Sequence, residues 1–184
     1  MARYAALLRG VNVNGITVKS AELATLFRDL GFDSVKTVLA SGNVLFETPS
    51  GSSASGGSPA SPADVKAGIE KGLGERFGYD AWIVLVDHAS LQGIVDGYPF
   101  DEVDERQPYV VFASDDAVLA EITAEAGRLE PSGGGERAAS GAGVLYWEVP
   151  RGSSTDTPFS KYLAKSRFKA HTTTRNLRTL RKLL

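Results

Sequence analysis

AWIVLV, residues Ala81–Val86, is an unbroken apolar run rich in β-branched and aromatic side chains. It is too short for a core helix and reads as a buried strand. It decides the fold because of what precedes it. Arg3–Leu8 is another strand with apolar residues on both faces, ending at Arg9-Gly10. Ser20 is the expected N-cap of a helix carrying Leu23, Leu26, Phe27 and Leu30 at helical spacing and stopped by Gly31. Val35–Leu39 and Asn43–Thr48 flank the turn triplet Ala40-Ser41-Gly42 and predict a hairpin. Ser61-Pro62 opens a second helix with Val65, Ile69, Leu73 and Phe77 on one side, ending at Gly78. With Ala81–Val86 the order becomes β-α-β-β-α-β, the ferredoxin-like unit, complete by residue 87.

Between the hairpin and the second helix, PSGSSASGGSPASP (49–62) has no side chain large enough to offset the entropy of ordering it, and reads as a flexible loop. After residue 87 the pattern starts again. His88–Gly97 reads as a connecting helix, Tyr109–Ala113 as a strand, and Asp115 as the cap of a helix reaching Gly127. Arg137–Ala139 and Val144–Val149 form a hairpin, and Thr157-Pro158 opens a helix bearing Phe159, Tyr162 and Leu163. One strand is missing from an exact repeat. The chain is expected to end instead in a basic amphipathic helix from about Thr174, with Leu177, Leu180 and Leu184 on its apolar side. The expected class is therefore α+β, with ferredoxin-like subdomains over 1–87 and 88–184 and a C-terminal basic helix.

The 184 residues hold no cysteine, which removes disulfides, thiolate nucleophiles, iron–sulfur clusters and cysteine-based zinc sites. Only His88 and His171 are available as imidazole ligands, and neither a metal site nor a cofactor is expected. No apolar run approaches the ~18 residues of a membrane span, and the N-terminus lacks a signal-peptide pattern, so the expected compartment is the cytoplasm. The net charge of −2 hides a division. Through Asp156 there are 22 acidic and 12 basic residues, giving −10; beyond it there are eight basic and no acidic ones, giving +8. Such a tail either docks on the acidic body or meets an external polyanion.

Several motifs can be tested against the chemistry they would need. Gly10–Gly15 has the G-x-x-x-x-G spacing of a phosphate loop, but Ile16 stands where the lysine must be, which argues against a nucleoside triphosphatase. Arg9 beside a Gly/Asn loop still suits a phosphate or carboxylate. No G-x-S-x-G elbow surrounds Ser41, and no sequence signal sets a histidine beside a serine. Asp101–Glu105 lacks EF-hand spacing and reads as a solvated acidic loop, or as a place for the basic tail to dock. His88 reads as a capping or packing residue. Thr172-Thr173-Thr174-Arg175-Asn176 crowds three hydroxyls, a guanidinium and an amide at an expected helix N-terminus, which suits an anion. The aromatic block of an RRM is missing, with Phe46 and Tyr4 isolated on their strands.

Three blocks together resemble one family. YAALLRGVNVNG (Tyr4–Gly15), ASGNVLFET (Ala40–Thr48) and TTTRNLRTL (Thr172–Leu180) are similar to the hallmark segments of the bacterial family called domain of unknown function sixteen ninety-seven. Tyr98-Pro99-Phe100 is similar to its Asn-Pro-Phe turn, while Asn14 and Leu177 stand where a glycine and a tryptophan are usual. The resemblance implies an α+β protein with two ferredoxin-like subdomains and supplies no activity. It directs attention to Arg9, Asn12, Ser41, Asn43, Thr173, Arg175 and Asn176 as a shared polar site.

The leading expectation is a protein without strong catalytic activity that binds an anion, a nucleic-acid backbone or a phosphorylated small molecule, in a groove between the subdomains. Arg9 and Arg175 would anchor the charge. One rival is an enzyme using Ser41 or His171 to handle a proton in the same groove. Another is a structural or protein-interaction module whose basic tail binds the acidic body or another subunit.

Overall fold

The structure, a computed structural model, describes residues 1–10, 17–49, 61–129 and 135–184. Residues 50–60, from the Ser/Gly/Pro stretch, and residues 11–16, with Asn12 and Asn14, lie outside the described residues. The chain divides into two compact units, Met1–Leu91 with Leu183–Leu184, and Gln92–Lys182.

In the first unit β1 (Ala2–Leu8), α1 (Ser20–Asp29), β2 (Asp33–Val38), β3 (Asn43–Thr48), α2 (Pro62–Phe77) and β4 (Ile83–Asp87) follow in order. The strands form an antiparallel sheet in the order β2-β3-β1-β4. Ala6, Leu8, Val44, Phe46 and Ile83 from the sheet pack against Leu23, Leu26 and Phe27 of α1 and Val65, Ile69 and Leu73 of α2. Ala5 and Leu7, of opposite parity, are also buried, which is why β1 reads as a continuous apolar run. The Ser61 hydroxyl and the Asp64 carboxylate make a capping box at the start of α2, and Gly78 at φ +68° ends it. The N-cap of α1 is Lys19, without a side-chain cap bond; Ser20, expected in that role, is already helical.

α3 (His88–Asp96) begins at the end of the first unit. Its first turn is capped by Asp87, which accepts from Ser90 N at 2.9 Å, and not by His88. His88 Nε2 lies 3.3 Å from the Leu184 carbonyl.

The second unit contains β5 (Arg106–Ala113), α4 (Asp116–Ala126), β6 (Arg137–Ser140), β7 (Leu145–Pro150), α5 (Pro158–Leu163), α6 (Ser166–Lys169), β8 (Thr172–Asn176) and α7 (Leu177–Arg181). Its antiparallel sheet runs β6-β7-β5-β8, repeating the first order. Val111, Leu145, Trp147 and Val149 meet Ile122, Phe159 and Phe168 in the core. The strand absent from the sequence reading is β8. Thr172, Thr173 and Thr174 pair with Ala113, Phe112 and Val111, so the segment expected to open a helix is an edge strand. Three β-branched residues beside a vacant ladder on β5 favour that outcome. The basic helix shrinks to α7, five residues long.

Among the described residues no helix is long and apolar enough to cross a membrane.

Candidate functional site

The first unit brings Arg9 and the Ser41–Asn43 turn to the same end of its sheet. Leu8 N donates to the Gly42 carbonyl at 2.8 Å, joining the end of β1 to that turn. The turn is strained at Leu39, at φ +60° and 50% exposed, and passes through Gly42 at φ +71°. Asn43 holds it. Fully buried, its Nδ2 donates to the Val38 carbonyl at 2.9 Å and to Ser41 Oγ at 2.8 Å. The Asn43 amide is therefore a clamp within the turn, and Ser41 is the residue it orients.

Arg9 is partly buried, and desolvation lowers its pKa from the usual guanidinium value. Among the described residues its guanidinium has neither an ion pair nor a hydrogen bond. Its backbone N–H donates to the Trp82 carbonyl at 3.1 Å, extending the β1–β4 ladder one step beyond the Leu8–Ile83 pair. Trp82 is thus brought beside Arg9. The Lys66 ammonium stands 5.6 Å from the Trp82 ring centroid and pairs with Glu70, whose Oε1 also accepts from Ile83 N at 3.0 Å. In the sequence Trp82 reads as one more apolar residue of the strand Ala81–Val86. Only the register, set by Leu8 opposite Ile83, identifies it as a neighbour of Arg9.

The remaining hallmark residues belong to the second unit. Arg175 is buried in β8; its Nη1 donates to Thr173 Oγ1 at 2.8 Å and to the Thr174 carbonyl at 3.1 Å. Burial pushes its pKa down to about 10. Asn176 caps α7, its Oδ1 accepting from Arg178 N at 2.9 Å, and Thr172 Oγ1 donates to the Phe168 carbonyl at 2.9 Å. Much of this polar crowding is strand and cap chemistry. The threonines, expected at the N-terminus of a long helix, lie instead in a strand, and α7 after them has five residues.

His171 Nδ1 lies 3.2 Å from Ser114 Oγ, and Ser114 Oγ donates to Asp115 Oδ2 at 2.8 Å. The order is wrong for nucleophile activation: the hydroxyl proton points to the carboxylate, and the imidazole does not stand between them. Asp115 also accepts from Val118 N at 2.9 Å as the cap of α4; that bond, with the one from Ser114, keeps its carboxyl below the usual range.

The basic tail is partly neutralised. Arg181 makes a two-pronged pair with Glu102 of the acidic loop, and Arg167 pairs with Glu121. Lys161, Lys165, Lys169, Arg178 and Lys182 have no ion pair among the described residues. A cleft of about 380 Å³ is lined by Glu125, Arg128, Tyr162, Lys165, Arg167 and Phe168. Its charges are largely occupied: Arg128 pairs with Glu125, Lys165 lies 4.4 Å above the Tyr162 ring, and Arg167 lies 4.6 Å above Phe168. Tyr162 itself stacks with Phe168 at 4.7 Å and Phe159 at 6.3 Å. None of the lining residues belongs to a hallmark block.

The family model "Protein of unknown function (DUF1697)" matches residues 1–146, which take in β1 to β6 and the start of β7. The chain belongs to this family. Arg9, Ser41 and Asn43 fall inside the DUF1697 match, and β8 with Thr173 and Arg175 falls beyond it. The structure of the conserved bacterial protein SP0830 from Streptococcus pneumoniae is similar over 100% of this chain and 96% of its own, with a TM-score of 0.77 and 24% identity. That likeness is one of fold, and it takes in the residues beyond 146 as well. No curated protein matches the chain.

Proposed function

We propose that the chain binds a phosphate-bearing ligand through Arg9 of its first unit, and that both units are ferredoxin-like. The fold reading is supported by the βαββαβ order and the repeated sheet order. The binding reading is carried by one observation: Arg9 holds a partly buried guanidinium without a counter-charge among the described residues. A cation taken partly out of water without a carboxylate costs stability, and a phosphate supplies the missing charge with geometry suited to its planar fork. Charge-assisted hydrogen bonds of this kind contribute about 1.5–3 kcal/mol each. Ser41, oriented by Asn43 in the turn bonded to the end of β1, is the adjoining hydroxyl.

The test is thermal unfolding of the full chain with millimolar pyrophosphate at low ionic strength, against the same ionic strength of chloride. Pyrophosphate is expected to raise the Tm of the wild type and of Arg175→Gln by the same few degrees. Arg9→Gln is expected to fold normally and lose the shift. An equal shift in Arg9→Gln, or no shift in the wild type, overturns the proposal.

A further inference from the structure

Trp82 has features that core packing does not account for. The second tryptophan, Trp147, is 3% exposed, donates from Nε1 to Glu136 Oε2 at 2.9 Å, and packs against Tyr109 and Phe159. Trp82 lies outside the first unit's apolar cluster and is only half-buried. Among the described residues it has no aromatic neighbour, and its indole N–H has no hydrogen-bond partner. What it has is position. The Arg9–Trp82 backbone bond makes the two residues cross-strand neighbours, whose Cβ atoms are ordinarily about 4.5–5.5 Å apart. The indole is steadied by the Lys66 ammonium, and Lys66 by Glu70, which is itself anchored on Ile83 N.

We infer that the phosphate bound by Arg9 is carried on a nucleobase, and that Trp82 is the surface on which the base stacks. The inference rests on the anion reading above and names its ligand class. A guanidinium and an adjacent, partly exposed tryptophan match the two ends of a nucleotide, the anionic phosphate and the flat π-face. Stacking tolerates different bases, because each has a π-face. Free nucleotides and single-stranded nucleic acid share this chemistry. The second unit's Tyr162 is less suited to the task, because Phe168, Phe159 and Lys165 already contact its ring.

Tryptophan fluorescence of the full chain provides the test, since a base stacked on Trp82 quenches it while Trp147 stays shielded. The four ribonucleoside monophosphates, ribose 5-phosphate, inorganic phosphate and a ten-residue single-stranded oligonucleotide are titrated in parallel, with thermal shift as a second readout. At least one monophosphate or the oligonucleotide is expected to quench to saturation, and inorganic phosphate to reverse the quench without causing one. Trp82→Leu is expected to keep the phosphate-induced thermal shift while weakening nucleotide binding on the order of ten-fold. Arg9→Gln is expected to lose both responses. Oligonucleotide binding at least ten-fold tighter than any monophosphate assigns the site to a single strand; the reverse assigns it to free nucleotides. Thermal protection by ribose 5-phosphate and phosphate with no quenching by any nucleotide overturns the nucleobase and leaves the anion reading intact. Failure of every ligand in both readouts overturns both.

Discussion

The Tyr98 hydroxyl donates to Glu148 Oε2 at 2.8 Å, setting a phenol against a carboxylate that is almost wholly buried in β7. Arg137 Nε donates to the other oxygen at 2.7 Å, Arg106 Nε donates to it too, and the Arg137 guanidinium lies 4.5 Å above Phe100. The Tyr98-Pro99-Phe100 segment is thereby tied to the second sheet through one acid.

Burial alone would raise the Glu148 carboxyl, but the bonds from Arg137, Tyr98 and Arg106 together hold it below the usual range. A depressed folded pKa means that the stabilisation is present above the unfolded value, about pH 4.3, and is lost as pH falls through the folded one. Glu148→Gln is expected to cost about 2–3 kcal/mol at neutral pH, since both arginines are partly solvated. Urea denaturation at pH 7 and pH 3 should show the gap to wild type shrinking at the lower pH. A constant gap would mean that the charge contributes nothing.

Asn43 makes a different kind of prediction, because its amide is used inside the turn. Asn43→Ala leaves the Val38 carbonyl and Ser41 Oγ without that donor and releases a turn held at a positive φ on Leu39. The expected loss is about 1–3 kcal/mol in urea denaturation. Any loss of pyrophosphate binding should be smaller than in Arg9→Gln, since Asn43 acts by orienting Ser41.

Gly97 is packed against the side chain that its substitution would displace. A Cβ there would lie 2.8 Å from Tyr146 Oη, which donates to the Ile94 carbonyl at 2.8 Å. Gly97→Ala is expected to cost about 1–3 kcal/mol by overpacking. In a Tyr146→Phe background the hydroxyl is gone and the cost should fall, a coupling that a double-mutant cycle reads directly. Additive effects would show that the backbone absorbs the added methyl.

Elements with punctuation at both ends were legible in the sequence. α2 has Ser61-Pro62 and Gly78, α4 has Asp115 and Gly127, and β4 (Ile83–Asp87) lies mostly within the apolar run Ala81–Val86. β8 was not, because Thr-Thr-Thr-Arg-Asn carries the residues of a helix cap and becomes a strand only through pairing with β5, far earlier in the chain. The site shows the same division. Arg9 stands out as a cation after a strand, but nothing local distinguishes an orienting Asn43 from a binding one, and Trp82 gains meaning only from the register of β1 on β4.

Tyr79 closes the first unit's core with a buried hydroxyl that, among the described residues, is the one buried side-chain polar atom without a hydrogen-bond partner. Burial raises its pKa to about 12. The folded value lies above the unfolded one, about 10, so the neutral phenol's contribution is complete below pH 10 and is lost as pH rises toward 12. Tyr79→Phe removes the orphan hydroxyl while keeping the ring among its apolar neighbours. It should leave stability unchanged or raise it by about 1 kcal/mol at pH 7. Because phenylalanine cannot ionise, the variant's advantage should widen above pH 10, as followed by denaturant titrations between pH 7 and 11. Destabilisation of 1 kcal/mol or more at pH 7 would show that the hydroxyl makes a favourable bond in solution.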